Sequence, residues 1–123
     1  MINILLNYAG GGTFQRSQLV NCASGLECGF NIVYKMTSIN IDKSFYIKNK
    51  DILDQPRGAG YWVWKSYFID KIIQHIDEQD ILFYSDSGAI FIKPMYPIFD
   101  TIRQDTNGAV SYTHLTLPTI LLV

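Results

Sequence analysis

An α/β fold built on a parallel sheet is what this sequence predicts, and three observations predict it. An apolar run opens the chain and is followed by a helical stretch and a second apolar run. A long helix with one apolar face lies in the middle. The run after that helix is apolar on both alternating faces, which suits a strand covered on both sides. Strand, helix, strand in this order argues for a parallel βαβ unit with a right-handed crossover.

Residues 2–8, INILLNY, fit a buried strand, and the three glycines at 10–12 stop regular structure after it. Thr13 can cap a helix running to about Leu26, with Phe14, Leu19, Val20, Ala23 and Leu26 as its apolar stripe and Gly29 closing the turn. Residues 31–36 read as the second strand, and residues 37–55 as irregular structure with a short helical turn or two. The best-defined helix spans residues 60–76, with Tyr61, Trp64, Phe68, Ile69, Ile72 and Ile76 on one face. Residues 81–86 form the third, interior strand, and residues 89–93 are expected to continue as a short extended segment. Pro97 suits the first turn of a last helix that reaches about Gln104.

The chain has 123 residues, 48% of them hydrophobic, which is enough for one packed domain. Ten basic and eleven acidic residues leave a net charge of −1, with no Lys/Arg cluster to form a positive stripe, so nucleic acid is not an expected partner. No apolar run approaches the roughly 20 residues that span a bilayer, and no signal peptide opens the chain. The expected location is the cytoplasm, with peripheral attachment at the inner face of a membrane as the form any membrane contact would take. Cys22 and Cys28 match neither a redox pair nor a zinc knuckle and read as free thiols packed near a helix.

The final stretch departs from this pattern. Residues 110–119 read VSYTHLTLPT, which resembles the in-frame translation of the transposon-end adapter used to prepare shotgun sequencing libraries. Ala109 and Ile120 are residues that the adapter's flanking bases can complete. The competing reading is a real β-strand with Leu-Thr alternation. The expected organisation is therefore residues 1–109 as the amino-terminal part of a domain and residues 110–123 as a non-native tail. Every acidic and basic residue precedes Val110, so the charge argument does not depend on the tail.

Among residues that could carry chemistry, Asp86 comes first, since it ends a buried strand and precedes Ser87 and Gly88. In open α/β sheets ligands bind at the carboxyl ends of strands, and a carboxylate there can hold a divalent metal that neutralises a leaving diphosphate. The alternative is an Asp that caps its own turn. Lys65 falls inside the apolar stripe when the helix is projected at about 100° per residue, so it needs a partner, either a phosphate or the rings over which its stem lies. Arg57 precedes Gly58, Ala59 and Gly60, a small-residue segment that lets a ligand approach, and its guanidinium suits phosphate or carboxylate. The triple glycine is neither a dinucleotide fingerprint nor a phosphate loop. Trp62, Trp64 and His75 read as packing residues.

Residues 57–65, RGAGYWVWK, with residues 84–88, YSDSG, some twenty positions on, resemble bacterial glycosyltransferases of the GT-A type found in capsule and surface-polysaccharide loci. The first strand, the helix opening at residues 14–18 and the stretch at residues 49–53 recur there in the same order, so the resemblance covers nearly all of residues 1–109. It implies a Rossmann-like GT-A fold, here its amino-terminal portion, that moves a sugar from a nucleotide-diphosphate donor to a glycan or lipid-linked acceptor. It also implies a manganese or magnesium ion, with Asp86 where an Asp-x-Asp motif stands. Tyr84 and Gly88 occupy the positions where a second acid is usual. Lys65 and Arg57 would contact the diphosphate, Asp86 and Ser87 would line the donor site, and Asn7, Tyr8 and Ala9 would neighbour the base and ribose. The catalytic base and most of the acceptor site would lie beyond residue 109. A non-catalytic nucleotide-binding or scaffold domain is the alternative. A nucleotidyltransferase fits less well, because residues 10–12 lack nearby basic side chains.

Overall fold

In a computed structural model, residues 1–10, 12–54, 63–104 and 119–122 are described. The chain runs β1 (Asn3–Ala9), α1 (Gly12–Glu27), β2 (Ile32–Thr37), a 3-10 turn (Ser38–Asn40), α2 (Lys43–Lys48), α3 (Lys50–Leu53), α4 (Val63–Ile73), β3 (Ile81–Tyr84), α5 (Tyr96–Gln104) and β4 (Thr119–Leu122). The four strands form one sheet in the order β2-β1-β3-β4. β1 lies parallel to β2, with Leu5 opposite Val33, and parallel to β3, with Leu5 opposite Phe83. Three parallel strands joined through helices make this an α/β domain, compatible with a Rossmann-like layout.

Alternation along β1 sends even and odd residues to opposite faces of the sheet. On the even face Ile4, Leu6 and Tyr8, with Leu82 and Tyr84 of β3, pack under Trp64, Phe68 and Ile72 of α4. On the odd face Leu5, Ile81 and Phe83 pack with Cys28, Phe30, Met95 and Phe99, the last two carried on or beside α5. β1 and β3 are buried along their whole length, because helices cover both sides. β4 pairs antiparallel with the outer edge of β3, Phe83 opposite Ile120. Its residues belong to the stretch expected to be a tail.

Strand and helix order follow the sequence pattern, and several boundaries shift. β3 ends at Tyr84, two residues before Asp86. α4 ends at Ile73 rather than near 76, and His75 is exposed. Residues 89–93 take no regular structure. Gly29, at φ 121°, turns the chain out of α1 as expected. Tyr61, Trp62 and the start of the helix expected from residue 60 lie outside the described residues.

The larger correction concerns α1. Its expected apolar stripe points away from the sheet, with Phe14, Leu19, Val20 and Leu26 each at least half exposed and Ala23 also exposed. The inward face is Gln18, Asn21, Cys22 and Gly25. Two causes act together. Gly25 lets the helix settle onto β1, where an added Cβ would stand 2.5 Å from a Leu5 methyl. The strand ends beneath also present polar groups that only an amide-bearing helix face can satisfy. Both cysteines are free thiols, as expected.

Candidate functional site at the carboxyl edge of the sheet

The strand order places β2 and β3 on opposite sides of β1, so the connections leave β1 in opposite directions. A crevice opens at the carboxyl ends where such a reversal occurs, and it is the place where open α/β sheets take their ligands. Tyr8 and Ala9 of β1 and Tyr84 of β3 end there, and Asp86 follows two residues later.

Three layers build this edge. The lowest is a buried amide network. Asn7, wholly buried, donates from Nδ2 to Asn21 Oδ1 at 2.6 Å and to Cys22 Sγ at 3.2 Å, and accepts from Gln18 Nε2 at 2.8 Å. Gln18 also donates to the Met36 carbonyl at 2.8 Å. Asn21 donates to Ser85 Oγ at 3.1 Å and to the Ala89 carbonyl at 2.8 Å. One helix face thus ties the ends of β1, β2 and β3 to the turn that carries Asp86. The expected role of Asn7 as a neighbour of the ligand becomes indirect, since its side chain faces inward and is fully engaged.

The middle layer is aromatic. Tyr8 stacks on Trp64 with ring centroids 4.3 Å apart, and Trp64 lies 5.8 Å from the Tyr84 ring. The Lys65 ammonium sits over that same ring, 4.7 Å from its centroid. Such a placement attracts a cation to the ring face. Tyr84 is 2% exposed, and no acceptor among the described residues closes a hydrogen bond of ordinary geometry on its hydroxyl. Burial first, then the nearby Asp86 carboxylate, and last Tyr8, push its phenol far above the ordinary value. Tyr84 therefore stays neutral. Burial also raises the Tyr8 phenol.

The outer layer holds the charges. Asp86 is exposed, while Ser87 is buried beside it. The turn after Asp86 is closed by the Ala89 amide donating to the Asp86 carbonyl at 3.0 Å, and Ser85 Oγ donates to the same carbonyl at 3.2 Å. Among the described residues no backbone amide donates to the Asp86 carboxylate, so the side chain is not the cap of its own turn. Lys65, half-buried, makes no ion pair with any described residue. Arg57 lies outside the described residues.

Beside this cluster, between the end of β1 and the segment after β2, opens a cavity of about 540 Å³ lined by Tyr8, Gly10, Ser38, Ile39, Ile41, Lys43, Tyr46, Leu53 and Asp54. Its volume falls within the range of small-molecule sites, and its lining is mostly apolar with a few polar groups. At its rim the Tyr46 hydroxyl donates to Asp54 at 2.5 Å, and Lys50 pairs with Asp54 at 3.1 Å. The Tyr46 bond, then Lys50, hold the Asp54 carboxyl below its ordinary value. None of Ser38, Ile41, Lys43, Tyr46 and Asp54 is singled out by sequence pattern, because they come from a stretch without periodicity.

A divalent ion is best held by several anionic oxygens. Around the Tyr84 ring the described residues place one carboxylate, Asp86, a phenol kept neutral and the Lys65 ammonium, and no three His, Cys, Asp or Glu side chains converge among the described residues. Among the described residues no helix is long and apolar enough to cross a membrane. Comparison with protein-family models, with curated proteins and with solved structures gave no match.

Proposed function

We propose that residues 1–109 are the donor-binding part of a GT-A glycosyltransferase that moves a sugar from a nucleoside-diphosphate sugar to a glycan or lipid-linked acceptor in surface-polysaccharide synthesis. The observation that carries this reading is the convergence, at one strand-order reversal, of a cavity walled by Tyr8, the Lys65 ammonium seated on the Tyr84 ring and the exposed Asp86 carboxylate near Tyr84. The sequence resemblance supplies the reaction class.

In this reading the nucleoside occupies the cavity, where Tyr8 and Ile41 offer apolar surface and Ser38 and Lys43 offer polar contacts. The backbone at Ala9 and Gly10 passes beneath the ribose. The diphosphate points toward Lys65, with Arg57 as a second cation, and Asp86 and Ser87 face the sugar. The acceptor hydroxyl attacks the anomeric carbon and gives its proton to water, the bond from that carbon to the diphosphate oxygen breaks, and the oxygen leaves with the bonding pair. Groups fixed in advance around that oxygen stabilise the charge as it grows.

The first test is calorimetric titration of the full chain with UDP, GDP, dTDP and ADP. One of the four is expected to bind, and Tyr8→Ala is expected to weaken it by about tenfold, roughly 1.4 kcal/mol. Binding of none of them sinks the reading. A non-catalytic nucleotide-binding domain shares this first step, and the solitary carboxylate favours it. Release of free nucleoside diphosphate from the matching sugar nucleotide in the presence of acceptor, followed by phosphorus NMR, separates the two.

A further inference from the structure

We propose that this edge binds its diphosphate through the Lys65 ammonium without a divalent ion, the ring of Tyr84 holding that ammonium where a metal-binding acid would otherwise stand. The inference rests on the donor-nucleotide reading above and adds the nature of the counter-charge.

Tyr84 stands two residues before Asp86 on the strand that delivers both to the edge. A carboxylate at that position would join Asp86 in enclosing a cation. A ring there does the reverse, because its negative face recruits a cation from the protein itself, and Lys65 lies 4.7 Å from its centroid. A ring at this position seats a positive ion carried by the chain instead of ligating one from solution. Lys65 is half-buried and has no carboxylate partner among the described residues. Partial burial removes water from the ammonium, which strengthens its pull on a phosphate oxygen. A divalent ion brought to the same diphosphate would meet that ammonium as a like charge, with a single carboxylate to hold it. Asp86 is then a negative group near an anionic ligand, and its charge opposes diphosphate binding.

The test titrates the full chain with UDP, GDP, dTDP and ADP, each once in EDTA and once in manganese chloride, as wild type, Lys65→Met, Lys65→Arg, Tyr84→Phe and Asp86→Asn. The tightest diphosphate is expected to bind equally in both buffers, within about twofold, and Lys65→Met is expected to weaken it by about tenfold or more. Tyr84→Phe keeps the ring and is expected to change affinity by less than about threefold. Asp86→Asn removes the opposing charge and is expected to raise affinity by about two- to threefold. Circular dichroism reports whether each variant is folded; if Lys65→Met is not, Lys65→Arg and the buffer comparison decide. Affinity that rises about tenfold with manganese and is lost in Asp86→Asn overturns the inference and leaves the donor site standing. Affinity untouched by Lys65→Met overturns it as well. No binding of any diphosphate in either buffer overturns both the inference and the donor site.

Discussion

Asp80 and Asp86 bracket the same short strand, and the molecule treats them in opposite ways. Asp80, 4% exposed, accepts the Ile2 amide at 2.8 Å and the Asp77 amide at 2.9 Å, with the amino terminus 3.7 Å away. Arg103 anchors the same end of the sheet through the Gln79 carbonyl at 2.9 Å and Asn3 Oδ1 at 2.6 Å. Burial alone would raise the Asp80 carboxyl, but the two amides, the amino terminus and Arg103 outweigh it and hold the group below the ordinary carboxylate value. At the other end Asp86 is exposed, its turn is closed by main-chain groups, and the nearby ammonium rests on a ring. Acids whose oxygens are consumed by amides belong to the fold. An exposed acid whose carboxylate accepts no described main-chain amide is left with oxygens that face solvent.

Asp80→Ala should break the amino end most severely. It strands two partly buried amides and is expected to cost about 2 kcal/mol in urea unfolding, with nucleoside-diphosphate affinity unchanged. A loss of affinity equal to that of the carboxyl-end variants would erase the contrast. Asn21→Leu comes next, since it leaves Asn7, Ser85 and the Ala89 carbonyl short of partners, and should cost about 2 kcal/mol. Because Asn7 directly precedes Tyr8, which walls the cavity, this variant should lower both stability and affinity.

The third expectation concerns acid. The Asp80 carboxyl is depressed in the folded state, so its stabilisation is fully present above the unfolded value near pH 4 and is lost as pH falls through the lower folded value. Unfolding free energy measured from about pH 5 to pH 2 should fall steeply in the wild type and less steeply in Asp80→Ala. The smallest effect belongs to Asp86→Asn, which should leave unfolding free energy within about 0.5 kcal/mol of wild type. A larger change would mean that Asp86 supports the fold after all.

The three parallel strands were legible because each is a short, largely apolar run ended by Gly or polar residues, and α4 because Trp64, Phe68 and Ile72 recur at helical spacing, whereas β4 falls in residues expected to be a tail. Asp86 and Lys65 were legible as exceptions: an acid closing an apolar run and a cation inside an apolar stripe. The ring that seats Lys65 was not, because pairing Lys65 with Tyr84 needs a contact between α4 and β3 that no local pattern encodes. α1 was misjudged for a physical reason. Hydrophobic periodicity assumes that the buried face is apolar, whereas this helix meets strand ends whose carbonyls and amides must be satisfied, so Gln18 and Asn21 displace Phe14 and Leu19 from the interior. The cavity residues Lys43, Tyr46 and Asp54 stayed hidden because only the packing of α2 on α3, and of α3 on α4, brings them across a cavity from the end of β1.

The outer rim of β3 receives residues 119–122 through main-chain ladder bonds. Such bonds do not discriminate among side chains, so this flank of the sheet works as a general socket for extended peptide. A synthetic segment of about six residues, supplied in trans, should compete for it. That gives an attachment point for a fluorophore or an affinity handle on the flank of β3 away from β1.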